Sequence, residues 1–212
     1  MTLQRTASLG GIILCGGHSR RMGSPKPWLP FGNELLLQRM VRIMSESLSP
    51  IVVVAAKGQS LPSLLSHAQV THDAVEDNGP LQGLEAGLSA MNAHAEAAFV
   101  SACDTPFLNT KFIWRLMENL GECDICAPMS TQHLHSLSAI YRVRLVGLVR
   151  ELLKSGEKRL WALHDHCQTR KMDHSLFRDI DPELRSLENM NTPELYEAAL
   201  QVLASGSPST DS

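Results

Sequence analysis

The stretch GGIILCGGHSRRMGSPKPWL, Gly10–Leu29, decides the fold. Its first six residues, ending at Cys15, are small or apolar throughout, as a strand buried on both faces must be. Gly16 and Gly17 then remove two Cβ atoms where a backbone could lie against a phosphate or a base. Arg20, Arg21 and Lys26 add positive charge, so the loop reads as an anion site. Pro25 and Pro27 disfavour helical geometry at Ser24 and Lys26, which predicts a lysine presented on a stiff, extended segment. The loop lacks both the Gly-Lys-Ser/Thr ending of a P-loop and the G-x-G-x-x-G of a dinucleotide fingerprint, so its anion is expected to be held differently.

Outward from this loop, apolar runs of strand length alternate with segments of helical period, the pattern of an α/β protein with a mostly parallel sheet covered by helices on both faces. PIVVVAA (50–56) reads as a second buried strand. Between the two, NELLLQRMVRIMSESL predicts an amphipathic helix with Asn33 as its N-cap. AQVTHD, AAFVSACD, CDICAP and SLSAIYRV read as further strands. LQGLEAGLSAMNAH, NTKFIWRLMENL with Asn109 as cap, RLVGLVRELLKSG with Gly156 as C-cap, and NTPELYEAALQVL read as helices. The segment from Arg159 to Arg185 is rich in His and Asp and carries no clear period. Loops after strands hold the sites of such sheets, and both the glycine loop and the carboxylate Asp104 occupy such places.

At 212 residues, 43% hydrophobic and 19% charged, the chain fits one globular domain. A flexible N-terminus is expected over residues 1–8, a single domain over 9–203, and a disordered tail over 204–212, where SGSPSTDS offers nothing to bury. A net charge of -3 argues against nucleic acid as partner. The apolar runs are too short for a signal peptide or a membrane span, and five cysteines form an odd set that suits a reducing, cytoplasmic setting.

LCGGHSRRMGSPK resembles the Leu-Ala-[Ala/Gly]-Gly-x-Ser-x-Arg-Met-Gly-x-x-Lys signature of the nucleotidyltransferases that make molybdenum dinucleotide cofactors. Further blocks follow in that family's order: Asp73 with Gly79-Pro80-Leu81 and Gly83, Cys103-Asp104 with Pro106, Tyr141-Arg142, GEKRLW (156–161) and ENMNTPEL (188–195). The resemblance spans Leu14 to Leu195. It implies a three-layer, Rossmann-like nucleotidyltransferase fold and transfer of GMP from GTP to the terminal phosphate of molybdenum-bound molybdopterin, releasing pyrophosphate. It further implies Mg2+ held by Asp104, the nucleotide bound by Leu14, Cys15, Gly16, Gly17, Lys26, Asp73 and Asp104, and catalysis by Arg21, Lys26 and Asp104. Molybdopterin-insertion and maturation proteins are its implied partners. Gly16 favours guanine, because guanylyl members read Leu-Ala-Gly-Gly and cytidylyl members Leu-Ala-Ala-Gly. The stretch Ser24-Pro25-Lys26 departs from the guanylyl pattern, which often has Asp before the lysine, and Ala55, Ala56 and Lys57 stand where the family has an asparagine.

The chemistry agrees with these roles, since joining two anions requires neutralised charge and an in-line geometry. A CTP-dependent cytidylyltransferase, a sugar-phosphate nucleotidyltransferase and a non-catalytic pterin-binding adaptor are the competing readings. Asn189 and Asn191 are candidates for the far wall of the cleft, with Asn191 or Thr192 as helix cap the alternative. Cys123 and Cys126 have zinc-like spacing, but two strand residues three apart face opposite ways. His164-Asp165-His166-Cys167 reads as solvated surface, and Trp28, Trp114 and Trp161 as packing residues.

Overall fold

The computed structural model describes residues 8–16, 23–65, 68–73 and 78–206. Its strands are β1 (Leu9–Leu14), β2 (Pro30–Phe31), β3 (Glu34–Leu35), β4 (Ile51–Ala55), β5 (Ala68–His72), β6 (Ala97–Ala102), β7 (Ile125–Met129), β8 (Ser138–Arg142) and β9 (Thr169–Asp173). Its α-helices are α1 (Leu36–Ser45), α2 (Pro80–Met91), α3 (Thr110–Leu120), α4 (Val146–Lys154) and α5 (Pro193–Gly206).

Seven strands form one sheet in the order β5-β4-β1-β6-β8-β7-β9. All neighbours run parallel except β8, which is antiparallel to both β6 and β7. Every residue of β1 and β4 is buried, which explains why neither alternates with polar residues. The twofold alternation of side chains appears instead as a division between layers. Ile13, Val53 and Phe99 pack with Met40 and Met44 of α1 and Phe112 and Leu116 of α3. Ile12, Val52 and Val100 pack on the other face with Leu84 and Leu88 of α2 and Val149 of α4. These three layers agree with the Rossmann-like arrangement that the resemblance implies.

The chain leaves β1 toward β4 and β5, then crosses to β6 on the other side of β1. That reversal opens a crevice at the carboxyl ends of β1, β4 and β6, where open α/β sheets bind ligands.

Four local expectations change. Asn33 does not cap α1: Gly32, at φ 66°, turns the β2-β3 hairpin, and the helix starts only after Leu35, whose N–H donates to Gln38 Oε1 at 3.1 Å. The unassigned segment after Arg159 contains β9, which pairs in parallel with β7 and covers the sheet edge. Trp28, Trp114 and Trp161 are exposed rather than packed; Trp161 lies under the Arg159 guanidinium, 4.5 Å from its centroid. His164 is buried rather than solvated, bonded to Ser136 Oγ at 2.9 Å and Thr169 Oγ1 at 3.1 Å. By contrast Asn109 caps α3 as expected, its Oδ1 accepting from Lys111 N at 2.9 Å. Helix α5 runs to Gly206, three residues beyond the boundary read from composition. No helix among the described residues is long and apolar enough to cross a membrane.

Burial pushes the His164 imidazole down to about 4, with the nearby Lys171 charge adding to the effect. A histidine depressed in the folded state and near 6.5 when unfolded lets the unfolded chain take up protons first, so stability falls as pH drops from 6.5 toward 4. The expected slope is up to about 1.4 kcal/mol per pH unit from this group. Urea denaturation from pH 7 to 4.5 should show it, and His164→Gln should flatten part of it; an equal slope in the variant contradicts the assignment.

Candidate active site

A cavity of about 910 Å³ occupies the crevice. The end of β1 forms its floor with Leu14, Cys15 and Gly16, and the ladder continues past the strand through Cys15 N to Val54 O at 2.8 Å and Cys103 N to Leu14 O at 3.2 Å. These bonds hold the three strand ends level. One wall comes from β4 and the loop that follows it, Ala56 to Gln59. The opposite wall comes from β6 and the turn after it, with Cys103 and Asp104.

Asp104 is placed by a braced turn. Thr105 Oγ1 bonds Ser101 Oγ at 2.9 Å, and Arg39 Nε donates to Pro106 O at 2.8 Å. The Asp104 carbonyl accepts from Met190 N at 3.0 Å, which ties the approach to α5 onto the same turn. Lys26 Nζ reaches across the cleft to Asp104 Oδ2 at 2.5 Å and to Asn191 Oδ1 at 2.7 Å. Three segments distant in sequence thus meet at one ammonium group. The lysine's backbone differs from the extended form expected: Pro25 is extended, but Lys26 opens a three-residue 3-10 turn, Lys26–Trp28. Trp28 Nε1 then donates to Ser60 O at 3.0 Å and fastens this turn to the opposite wall.

The carboxylate of Asp104 is almost wholly buried, and its Oδ1 has no hydrogen-bond partner among the described residues. A buried anionic oxygen lacking a donor is costly unless a cation completes it. Lys26 satisfies one oxygen, so the other fits a hard divalent cation shared with phosphate oxygens and water. No cluster of three or more metal-binding side chains exists among the described residues.

Asp73 follows β5 and lines the same cavity, its N–H donating to Ala55 O at 3.1 Å. A methyl group at Gly16 would sit 3.4 Å from Asp73 Oδ2 and 3.8 Å from Ala56 N, so this glycine keeps the gap between the walls open. Gly79 has φ 77°, and a Cβ there would lie 2.6 Å from Lys158 O. Only glycine fits that approach. It allows Pro80 to open α2 with its N-terminus at the cavity, where the helix dipole favours negative charge.

Of the residues singled out in the sequence, Leu14, Cys15, Gly16, Lys26, Asp73 and Asp104 converge on this cavity, and Asn189 and Asn191 line its far side. Gly17 and Arg21 lie outside the described residues. The Cys15 thiol is held well above its ordinary pKa, by burial first and then by contact with Cys103, which disfavours the thiolate that a nucleophile requires. Cys126 lies in β7 with its thiol 3.4 Å from Met172 Sδ, and burial pushes it up to about 12. Sequence reading missed Gln59, whose carboxamide spans the cleft between Cys15 O, at 3.1 Å, and Ala56 N, at 2.9 Å. Its only signal was position, four residues past the end of a buried strand.

The sheet order, the crevice and the paired ammonium and carboxylate are the geometry of a ligand site at the strand ends of an open α/β sheet. Residues 11–171 match the MobA-like NTP transferase domain, and the chain belongs to that family. It is 34% identical over 201 residues to a protein of Mycobacterium tuberculosis named probable molybdenum cofactor guanylyltransferase, covering 92% of this chain and 95% of that one. The fold is similar to that of the molybdopterin-guanine dinucleotide biosynthesis protein A of Archaeoglobus fulgidus, with a TM-score of 0.76, 19% identity and coverage of 93% and 99%. It is also similar to a Mycobacterium tuberculosis protein solved in complex with manganese, with a TM-score of 0.64, 15% identity and coverage of 92% and 98%.

Lys26→Met leaves the Asp104 carboxylate buried without its ammonium partner. Because Lys26 retains some solvent access, the expected loss is about 2 kcal/mol, below that of a fully buried pair. Adding Asp104→Asn should return most of it. Urea unfolding of the two single variants and the double variant measures the coupling, and simple additivity would contradict it.

Proposed function

We propose that the protein transfers GMP from GTP to the terminal phosphate of molybdenum-bound molybdopterin and releases pyrophosphate, with Mg2+ as its metal. The observation that carries this reading is the Asp104 carboxylate just past β6 in the crevice, one oxygen on Lys26 and the other buried with no donor among the described residues. The name borne by relatives at 34% identity supports the choice of nucleotide and acceptor, and the manganese bound by a structural neighbour supports a divalent ion.

In this reading the acceptor's phosphate oxygen attacks the α-phosphorus of GTP. A P–O bond forms there, the bond from the α-phosphorus to the bridging oxygen breaks, and that oxygen leaves on pyrophosphate. Mg2+, when bound at Asp104, supplies charge neutralisation to the phosphates. Lys26 turns from the carboxylate toward the triphosphate and stabilises the charge gathering on the leaving group. Arg21 is assigned to the same charge. Asn191, bonded to Lys26, orients that lysine. The N-terminus of α2 draws the phosphates in, Gly16 admits the nucleotide, and Asp73 contacts its sugar or base. Leu14 and Cys15 complete the nucleotide's floor, and Gly17 is assigned to the nucleotide as well. Molybdopterin-insertion and maturation proteins would receive the product, and the cytoplasm is where such substrates meet.

The test is pyrophosphate release by the purified protein with Mg2+ and either GTP or CTP, each with and without molybdenum-loaded molybdopterin. Release with GTP only in the presence of the pterin is expected. Asp104→Asn should lower it by about a hundredfold or more without loss of fold. Release with CTP alone would move the protein to the cytidylyl branch, and silence with both would sink the reading.

A further inference from the structure

Gln59 occupies the gap between β1 and β4 in an unusual way. Its own N–H closes a turn onto Ala56 O at 3.0 Å, and its side chain folds back over that turn. Ala56 N–H can only donate, so the carboxamide oxygen faces it at 2.9 Å, and the carboxamide nitrogen donates to Cys15 O at 3.1 Å. The side chain therefore takes up one backbone donor and one backbone acceptor, side by side, on the floor of the cavity. Most other main-chain groups nearby serve the ladder: Cys15 N bonds Val54 O, and Asp73 N bonds Ala55 O.

A pair of this kind reads a ligand that carries an N–H and a C=O on neighbouring atoms. A primary carboxamide does, and so does the lactam edge of a 6-oxopurine, through N1–H and O6. We propose that the Gln59 carboxamide is a built-in surrogate for the lactam edge of the base, and that a 6-oxopurine nucleotide displaces it to bind Cys15 O and Ala56 N. The inference rests on the guanylyl reading for the identity of the nucleotide. The glycine beside Gln59, Gly58 at φ 74°, and the single turn of loop supply a side chain that swings out without disturbing β4.

A surrogate of this kind holds the free protein in a closed state and scales apparent affinity down to the fraction of time the pair is uncovered. Two neutral hydrogen bonds, opposed by the rotamer freedom that glutamine loses in making them, correspond to a modest bias. Removing the carboxamide should therefore tighten GTP binding about three- to tenfold.

The experiment compares wild type, Gln59→Ala and Gln59→Met. It measures equilibrium binding of GTP and ITP with Mg2+, KM and kcat in the pterin assay, and thermal unfolding. Lower Kd and KM for both nucleotides in both variants, with kcat within about twofold of wild type, support the surrogate. Weaker binding in the variants would make Gln59 a direct ligand of the base and overturn it. Unchanged Kd with a lowered melting temperature would make the side chain a structural brace and overturn it as well. Binding keeps this inference separate from the reading beneath it: a wild-type protein that binds GTP but transfers nothing sinks the guanylyl assignment, while the Kd comparison still decides Gln59. A protein that binds neither nucleotide sinks both.

Discussion

The salt bridge between Lys26 and Asp104 is the contact on which the site depends. The two residues are 78 positions apart, and neither reaches the other unless β1 and β6 lie side by side with their ends level. Ionic partners removed from water gain less from attraction than they lose in hydration unless geometry and further hydrogen bonds complete them. Here Asn191 also accepts from the lysine, and among the described residues the Asp104 Oδ1 has no hydrogen-bond partner. An enzyme that must gather phosphates and a cation has reason to keep such an incomplete pair. Its charges are already largely removed from water at the wall of the cavity.

The rest of the architecture serves that arrangement from a distance. Packing on both faces of the sheet makes β1, β4 and β6 rigid, so the backbone at their ends is a fixed surface. Helix α5 and the hairpin form a third, smaller cluster around Phe31, Leu36 and Met190, and the Tyr196 hydroxyl donates to Pro30 O. This cluster brings Asn191 to the lysine. The chain that enters α5 thus lines the cavity through Asn189 and Asn191.

Much of this was legible from residue order alone. Buried strands announce themselves by continuous β-branched runs, and β1 and β4 lie within one residue of where those runs place them. The Asn109 cap followed from local chemistry. What escaped was set by partners far along the chain. TRKMD (169–173) is a half-exposed edge strand whose only tie to the sheet is β7, so its composition carries no strand signal. His164 is buried because Ser136 and Thr169 receive it, and no window around His164 contains both. The β2-β3 hairpin is too short to show a period, which shifted the expected start of α1. Within the site, Lys26, Asp73 and Asp104 stood out as charges in strand-end loops. Gln59 did not, since one neutral residue in a polar loop acquires meaning only from the two backbone groups it covers.

We propose that Asp104 takes a divalent cation when the nucleotide arrives, while Lys26 turns toward the triphosphate. Mn2+ binding followed by electron paramagnetic resonance, with and without GTP, tests it directly in wild type and Asp104→Asn. The account predicts nucleotide-dependent Mn2+ binding in the wild type that weakens about tenfold or more in the variant. Equal Mn2+ affinity in the two proteins would contradict it.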